Sequence, residues 1–238
     1  MISVRNLNKK FGSLEVLKSI DVDFQLGKSF ALIGPNGSGK TTLIKCILGM
    51  VIPDSGEINL DNEDIKGQWL YRDKIGYMPQ IGRYPDNMKI GQLFDMIRDL
   101  RKKERVDEEL IIEFNLQSMY HKRMHTLSGG TRQKVSAALA FLFDAPIMIL
   151  DEPTAGLDPL AVEVLKSKIR KEKNDKKLFL ITSHIMSDLD ELSSDVVYLE
   201  EGVIRYNDTI AKIKSETGEE KFGKAIATMM RRNKAQSV

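Results

Sequence analysis

The sequence predicts an α/β fold built on a mostly parallel sheet, and three observations lead to this prediction. A glycine-rich loop at residues 34–41 separates a short apolar segment, residues 30–33, from a segment with helical character. Two nearly continuous apolar runs, at residues 147–150 and 178–182, are typical of parallel strands that are covered on both faces. Between about residues 83 and 143, apolar residues recur at helical spacing, which indicates a helical insertion in the α/β body.

The remaining elements follow from shorter patterns along the chain. Alternating apolar residues at 20–26 predict a half-buried strand, and apolar segments at 57–60 and 75–78 predict two more. Residues 41–48, which follow the glycine-rich loop, are expected to form a helix that a glycine ends. Two apolar segments flank Glu200-Glu201-Gly202, and this arrangement predicts a β-hairpin near the C-terminal end of the sheet.

These elements divide the chain into four expected segments. An N-terminal β subdomain and the first part of the α/β core would take residues 1–82, and a helical subdomain would take residues 83–143. The second part of the core is expected at residues 144–209. Residues 210–238 would be a charged C-terminal tail, whose apolar residues still fit one face of a helix.

The composition argues against several functional classes. Lys and Arg number 36 against 34 Asp and Glu, and this near-balance gives no electrostatic support for nucleic-acid binding. The single cysteine, Cys46, leaves no intrachain disulfide and is expected to be a small buried residue of a helix. The longest apolar run, residues 137–143, falls far short of the ~20 residues that span a bilayer, so membrane association is expected through a partner.

The glycine-rich loop is the strongest functional signal. Residues 34–41 match the pattern G-x-x-x-x-G-K-[ST], in which backbone N–H groups and a helix N-terminus converge on phosphate. Lys40 would supply a charge to the β- and γ-phosphates of ATP, and the Thr41 hydroxyl is placed to ligate Mg²⁺. An accidental glycine-rich turn is the alternative, and the strand and helix on either side argue against it. The residues expected to bind the nucleotide here are Gly34, Pro35, Asn36, Gly37, Ser38, Gly39, Lys40, Thr41 and Thr42.

Polar residues that follow three of the predicted strands are candidates for the hydrolysis of ATP. Asp151 would reach Mg²⁺ through a water, and Glu152 would position the attacking water. His184 could orient the γ-phosphate or that water, and Gln80 could contact Mg²⁺ or the water. Each has a plain structural alternative, namely an acidic turn, a hydrogen-bonded histidine near a helix start and a loop glutamine.

The segment Leu127-Ser128-Gly129-Gly130-Thr131-Arg132-Gln133 resembles the signature sequence of ABC ATPases. It lies upstream of Asp151-Glu152, as in that family, and the resemblance covers roughly residues 1–209. The resemblance implies an ABC nucleotide-binding domain, in which a P-loop core carries an N-terminal antiparallel β subdomain and an inserted helical subdomain. Thr131 stands where glutamine is common in the family, but the contacting residues before it are intact.

The resemblance also implies roles for residues that spacing alone does not assign. Phe11 matches the aromatic residue that stacks on adenine, although a core position in the N-terminal sheet is the alternative. Ser128, Gly129 and Gly130 match the segment that reaches the γ-phosphate of ATP held by another subunit. Asp158 matches a loop that communicates across the dimer, and it is also expected to cap the helix that follows it.

These roles require two chains. A single chain cannot easily aim two helix N-termini at one γ-phosphate, whereas two chains related head to tail by a two-fold axis can. We therefore expect two copies, or this chain and a paralogous ATPase, to bury two ATP between them. By resemblance the other partners are integral membrane permease subunits, which would hold the chain peripherally on the cytoplasmic face of the cell membrane. No nucleic-acid partner is expected.

The contact with the membrane subunits can be placed by the same resemblance. Gln80 matches a lid-like loop that links the nucleotide site to those subunits. This loop and the helical insertion are expected to form a groove that accepts a helix of the partner. The residues expected to line the groove are Tyr84, Pro85, Met88 and Leu93.

Two functional alternatives accompany the transporter hypothesis. One is a soluble ABC ATPase that acts on nucleic acid, ribosomes or iron–sulfur assembly, and the other is a nucleotide-binding regulator that does not hydrolyse ATP. The single domain and near-neutral charge argue against the first, and Glu152 with His184 argues against the second. Within the transporters, the variant signature and short tail resemble exporter-type systems, and most closely the ATPase of the copper-linked system that matures nitrous oxide reductase.

Overall fold

The fold was obtained as a computed structural model, which describes residues 1–102, 105–173 and 176–236. The strands are β1 (Ile2–Phe11), β2 (Leu14–Phe24), β3 (Ser29–Ile33), β4 (Ser55–Leu60), β5 (Glu63–Asp64), β6 (Ile75–Met78), β7 (Ile147–Asp151), β8 (Leu178–Thr182), β9 (Asp195–Glu200) and β10 (Val203–Thr209). The helices are α1 (Lys40–Ile47), α2 (Ile90–Arg101), α3 (Glu109–Glu113), α4 (Gly129–Phe141), α5 (Pro159–Glu172), α6 (Met186–Leu192), α7 (Ile210–Thr217) and α8 (Phe222–Gln236).

The strands form two sheets. The smaller sheet is antiparallel with the order β2-β1-β4-β5, and the larger sheet has the order β10-β9-β3-β8-β7-β6. In the larger sheet, the strands from β9 to β6 are parallel, and only β10 runs antiparallel to its neighbour β9. The mixed α/β fold and the mostly parallel sheet are therefore confirmed.

Apolar side chains cover the larger sheet on both faces. Along β3, Ala31 and Ile33 point into one apolar cluster with the helices, whereas Phe30 and Leu32 point into a second cluster with α1 and the smaller sheet. This alternation follows from the two-residue period of a strand. It explains why the parallel strands appear in the sequence as nearly continuous apolar runs. The carboxyl ends of β3, β6, β7 and β8 consequently meet at one edge of the sheet.

Helices α2, α3 and α4 occupy the stretch that the sequence predicts to be helical. The face of α2 that carries Ile90, Leu93 and Phe94 is buried, with 0–1% of each side chain exposed. The prediction that Leu93 lines a surface groove is therefore wrong, because this residue belongs to the core. Pro85 is exposed, while Met88 is only partly buried and remains reachable from the surface.

The C-terminal tail docks on the core. Helix α8 packs against α6 and α7, and Phe222, Ala225, Ile226 and Met229 are buried in the same apolar cluster as the helical insertion. The apolar face seen in the sequence is therefore the packing face of the helix. Within the described ranges, no helix combines the length and the apolar character that crossing a bilayer requires.

Candidate functional site

A cleft of about 300 Å³ opens at the edge where the carboxyl ends of the parallel strands meet. Every residue predicted to be catalytic or to bind Mg²⁺ lies on its wall, together with most of the glycine-rich loop. The lining residues are Phe11, Leu14, Val16, Asn36, Gly37, Ser38, Gly39, Lys40, Thr41, Thr42, Gln80, Asp151, Glu152, Thr182 and His184. Residues more than a hundred positions apart are thus brought together by the sheet.

The glycine-rich loop connects β3 to α1 in a conformation that needs glycine at particular places. Gly39 has φ +108°, and an added Cβ atom at Gly34 would lie 1.9 Å from the Leu199 carbonyl oxygen. The Lys40 ammonium donates hydrogen bonds to the carbonyl oxygens of Gly34 (2.7 Å) and Pro35 (2.9 Å). Gly34 and Pro35 therefore shape the loop and hold Lys40 rather than lining the cleft.

The loop carries groups that lack partners within the described part of the chain. Ser38 is 2% exposed, and its Oγ atom has no hydrogen-bond partner there. No side chain caps the N-terminus of α1, so the first N–H groups of that helix face the cleft edge without a side-chain acceptor. Burial lowers the pKa of Lys40, and the negative charges of Glu152 and Asp151 oppose that shift. This arrangement fits a bound polyanion such as the phosphates of ATP.

The two carboxylates at the end of β7 are held differently. The Asp151 side chain accepts a hydrogen bond from the Thr182 hydroxyl at 2.5 Å between Oγ1 and Oδ1. Glu152 has φ +53°, which is rare for a residue with a side chain, and its N–H is bonded to Thr182. The Glu152 carbonyl oxygen accepts a hydrogen bond of 3.4 Å from the side chain of Gln133. Thr182 and Gln133 were assigned no role from the sequence, because their contacts depend on strand register and helix packing.

His184 lies beside the Glu152 carboxylate. Its Nε2 atom is 3.4 Å from Oε1 of Glu152, and its backbone N–H donates to Oε2 at 3.2 Å. The Glu152 side chain is 10% exposed whereas that of His184 is 61% exposed, so the carboxylate is fixed and the imidazole faces the open cleft. The pair can therefore orient a water and a phosphate oxygen at the same point.

Phe11 stands at the open end of the cleft, at the last position of β1. Its side chain is 51% exposed, and the Lys9 ammonium lies 5.3 Å from the ring centre. The alternative that Phe11 is a core residue of the N-terminal sheet is therefore wrong. Leu14 and Val16 line the same end, and together these three side chains offer an apolar wall that includes an exposed aromatic ring.

The signature segment lies outside this cleft. Ser128 is exposed and caps α4, since its Oγ atom accepts a hydrogen bond from the Thr131 N–H at 3.2 Å. Gly130 approaches the loop after Glu152 so closely that an added Cβ atom would lie 2.8 Å from the Gly156 carbonyl oxygen. Asp158, at the end of that loop, accepts a hydrogen bond from the Ala161 N–H at 3.0 Å, as predicted for an N-cap. Of the residues expected to bind nucleotide, six are absent from the cleft lining given above, namely Gly34, Pro35, Ser128, Gly129, Gly130 and Asp158.

The donor set of the cleft fits Mg²⁺ better than a metal that needs several protein ligands. Among the described residues, no three His, Cys, Asp or Glu side chains gather into a metal-binding group. The cleft instead offers the oxygen donors of Thr41, Gln80 and Asp151 beside the phosphate-binding loop. Mg²⁺ is typically held by one or two carboxylates together with substrate phosphates, and these residues match that pattern.

Fold and cleft together define the class of protein, which is a P-loop ATP-binding domain. A family model described as "ABC transporter" matches residues 17–155. The Nod factor export ATP-binding protein I of Burkholderia lata is 31% identical over 84% of this chain and 68% of its own length. A probable sulfate/thiosulfate import ATP-binding protein CysA of Chlorella vulgaris is 33% identical over 85% of this chain and 89% of its own.

Solved structures agree with the sequence relatives. A protein described as the ATP-binding subunit of an ABC transporter superposes with a TM-score of 0.89 at 26% identity, covering 97% of this chain and 99% of that one. The ATP-binding cassette MJ0796, in a dimeric state bound to ADP and Pi, superposes with a TM-score of 0.78 at 22% identity, covering 88% and 98% respectively. The chain belongs to the ABC transporter family, of which it is an ATP-binding subunit and an ATPase.

Proposed function

We propose that this chain hydrolyses ATP with Mg²⁺, dimerises head to tail around two ATP, and drives a separate membrane-spanning partner. The main support for a dimer is that the nucleotide-binding cleft and the signature segment are separated within one chain. The cleft holds the loop and the carboxylates, while the exposed signature helix begins outside it, next to the loop at Gly156. A second copy, or a paralogous ATPase, related by a two-fold axis would bring its own signature helix to this cleft.

The cleft residues that the sequence singled out take the following roles in this proposal. Lys40 and the N–H groups of the loop bind the β- and γ-phosphates, and Phe11 stacks on the adenine. Glu152 positions the attacking water, His184 contacts the γ-phosphate beside Glu152, and Gln80 senses that phosphate. Mg²⁺, held by Thr41, Gln80 and Asp151, would neutralise charge that develops on the phosphate oxygens. The buried, hydrogen-bonded setting of Asp151 and Glu152 supports this assignment because it keeps both carboxylates in place.

The partner subunit's Ser128, Gly129 and Gly130 complete the site. The N-terminus of the thirteen-residue helix α4 would carry a partial positive charge to the γ-phosphate. Asp158 of each chain would lie near the two-fold axis. ATP then binds the closed dimer better than the open chains, and hydrolysis removes that preference.

A groove beside the Gln80 loop is the proposed contact with the membrane partner. A cavity of about 350 Å³ lies between this loop and the start of α4, with Tyr84 and Arg132 on its wall. Ile81, which is 65% exposed, lies at the same place and offers an apolar contact. Tyr84, Pro85 and Met88 remain in the proposed lining. A helix of an integral membrane permease would fit here and hold the chain on the cytoplasmic face of the membrane.

Transport direction and organisation complete the proposal. We favour an exporter-type system because of the variant signature, although the relatives compared above include one export and one import protein. The link to the copper system for nitrous oxide reductase remains a prediction based on sequence resemblance. We also propose that residues 1–82, 83–143, 144–209 and 210–238 are the structural segments of the chain.

Trapping the dimer tests the proposal. Glu152→Gln should bind ATP and hydrolyse it very slowly, so that size-exclusion chromatography with ATP and Mg²⁺ shows a dimer. Adding Ser128→Arg to this variant should return it to a monomer, because the bulky cation would block the partner's nucleotide. Ser118→Arg is the matched control, since Ser118 is also exposed but lies after α3. A Glu152→Gln protein that remains monomeric at high concentration, also beside its membrane partner, would refute the proposed dimer.

A further inference from the structure

Thr182 is the last residue of β8, and its hydroxyl lies between the two carboxylate residues of the cleft. The side chain is 1% exposed, and strand register places it directly opposite Asp151 on the neighbouring strand β7. The hydroxyl donates to Oδ1 of Asp151 at 2.5 Å and accepts from the backbone N–H of Glu152 at 3.0 Å. One side chain therefore contacts both functional residues.

The two hydrogen bonds use the hydroxyl in a way that few side chains can reproduce. A threonine hydroxyl has one proton to donate and lone pairs to accept, so it can serve a carboxylate and an N–H at the same time. The bond to Asp151 fixes the rotation of the carboxylate and engages one of its oxygens. The other oxygen stays available on the wall of the cleft, where Thr41 and Gln80 also lie.

The bond to Glu152 acts on the backbone. Glu152 adopts φ +53°, a conformation that persists only where the surroundings hold it in place. Its N–H is shared between the Thr182 hydroxyl and the Thr182 carbonyl oxygen, which is 3.1 Å away. Any residue at position 182 would offer the carbonyl, but only serine or threonine offers the hydroxyl. The hydroxyl therefore adds support to the turn that aims the Glu152 side chain at His184.

We propose that Thr182 is a positioning residue for the reaction. Its hydroxyl orients Asp151 toward Mg²⁺ and holds the backbone turn at Glu152. This inference rests on the proposed Mg²⁺-dependent ATP hydrolysis. It concerns the outer contacts of the metal site, where loss of a hydrogen-bonding partner typically changes metal affinity or activity 10- to 100-fold. A hydroxyl with a purely structural role would change stability without changing the Mg²⁺ requirement.

The test uses Thr182→Val, which keeps the shape of the side chain, and Thr182→Ser, which keeps the hydroxyl. In the full-length protein, Thr182→Val should lower kcat about tenfold or more and raise the Mg²⁺ concentration for half-maximal activity about tenfold. ATP binding in EDTA should change by less than about twofold, because the loop is not touched. Thr182→Ser should restore most of both parameters. The matched control is Ser29→Ala, which removes another buried hydroxyl, bonded to the Leu192 carbonyl oxygen, at the opposite end of the same sheet.

A second measurement determines the metal affinity of the site in the absence of ATP hydrolysis. With Glu152→Gln as the background, Mn²⁺ binding in the presence of ATP is followed by electron paramagnetic resonance, and adding Thr182→Val should weaken it about tenfold. Wild-type Mg²⁺ dependence and Mn²⁺ affinity in the Thr182→Val proteins would overturn the inference, as would a Thr182→Ser variant that is equally impaired. Protein with an intact Thr182 that binds no Mn²⁺ with ATP would instead overturn the proposed function itself.

Discussion

Replacing Lys168 by methionine tests how the helical insertion is held to the nucleotide-binding core. Lys168 lies on α5, and only 3% of its side chain is exposed. Its ammonium donates to Asp107, to Glu109 at 2.8 Å and to Glu172 at 2.7 Å. Glu109 is the first residue of α3 and Asp107 lies two residues before it, so this one cation joins the helical insertion to α5 of the core.

The magnitude follows from the burial of each partner. Removing one member of a buried ion pair typically costs about 3–5 kcal/mol, because the remaining charges are left without compensation. Here Asp107 is 28% and Glu109 is 35% exposed, so water can solvate both after the substitution, while Glu172 at 12% stays more enclosed. We therefore expect the free energy of unfolding to fall by about 2–3 kcal/mol, and Tm should fall by about 4–12 °C for a chain of this size.

Lys171→Met is a sharp control for this experiment. Lys171 is one turn further along the same helix and bonds the same Glu109 carboxylate at 3.0 Å, but it is 67% exposed. An exposed pair contributes less than about 1 kcal/mol, so Lys171→Met should lower Tm by less than about 4 °C. Urea unfolding followed by circular dichroism, together with calorimetry, measures both variants. Equal losses in Lys168→Met and Lys171→Met would refute the reasoning that burial decides the strength of these pairs.

The same cluster predicts a pH dependence. Burial would lower the pKa of Lys168, but hydrogen bonds to its three carboxylates outweigh this effect and raise the pKa above the usual value. Hydrogen bonds from Lys168 and Lys171 hold the pKa of Glu109 below its ordinary value of 4.5. A depressed carboxylate pKa contributes stability above the unfolded-state pKa, and this contribution is lost as pH falls through the folded-state pKa. The stability difference between wild type and Lys168→Met should therefore be full at pH 7 and shrink as pH drops below about 4.5.

Three further predictions concern the cleft and the single cysteine. Phe11→Ala should raise the KM for ATP about tenfold with little change in kcat, because stacking on a base contributes about 1–3 kcal/mol. Phe11→Tyr keeps the aromatic ring and should behave like the wild-type protein. Steady-state kinetics measures both variants, and an unchanged KM for Phe11→Ala would contradict the stacking role. Lys40→Ala should weaken equilibrium binding of a fluorescent ATP analogue, and unaltered affinity would contradict its role at the phosphates. Burial raises the pKa of the Cys46 thiol to about 11, so about one thiol in a thousand is ionised at pH 8. Reaction of Cys46 with a disulfide reagent should therefore require unfolding of the protein by urea. Rapid labelling of the native protein would contradict this prediction.

Strand β1 shows why part of the fold could not be predicted from the apolar pattern of the sequence. Ile2, Val4 and Leu7 are all buried in β1, but the spacing from Val4 to Leu7 breaks the two-residue period of a strand. The pairing with β2 shifts register at this point, where Asn6 has φ +47° and its N–H bonds to the Asp21 carboxylate. A β-bulge of this kind inserts one residue and restores the inward direction of the next apolar side chain. A search for strict apolar alternation in the N-terminal region therefore finds β2 but misses β1.

The residues of the candidate site could be predicted from the sequence better than the residues of the groove beside it. The glycine-rich loop, Asp151, Glu152 and His184 each follow a strand, and parallel strands bring their carboxyl ends together, so their meeting could be predicted. Leu93 could not be placed in the same way. The apolar residues of α2 fit either a core or a partner surface, and only the packing of the helix shows that Leu93 faces inward. Thr182 was missed because its contacts depend on which residues pair across β7 and β8.

The segment that follows Glu152 offers a physical reason for coupling between dimerisation and hydrolysis. Glu152, immediately before this segment, carries the carboxylate, and Gly156, within the segment, lies against the signature helix at Gly130. Its last residue, Asp158, forms an ion pair of 2.6 Å with Lys134 of that helix, while the buried Thr154 hydroxyl donates to Asp188 beyond His184. In the proposed dimer the signature helix contacts the partner's ATP, so a shift of that helix on closure would reach the Glu152 turn through contacts already present in each chain. Because Glu152 holds a strained backbone conformation, a small displacement of this turn would change the aim of its carboxylate more than it would change the rest of the fold.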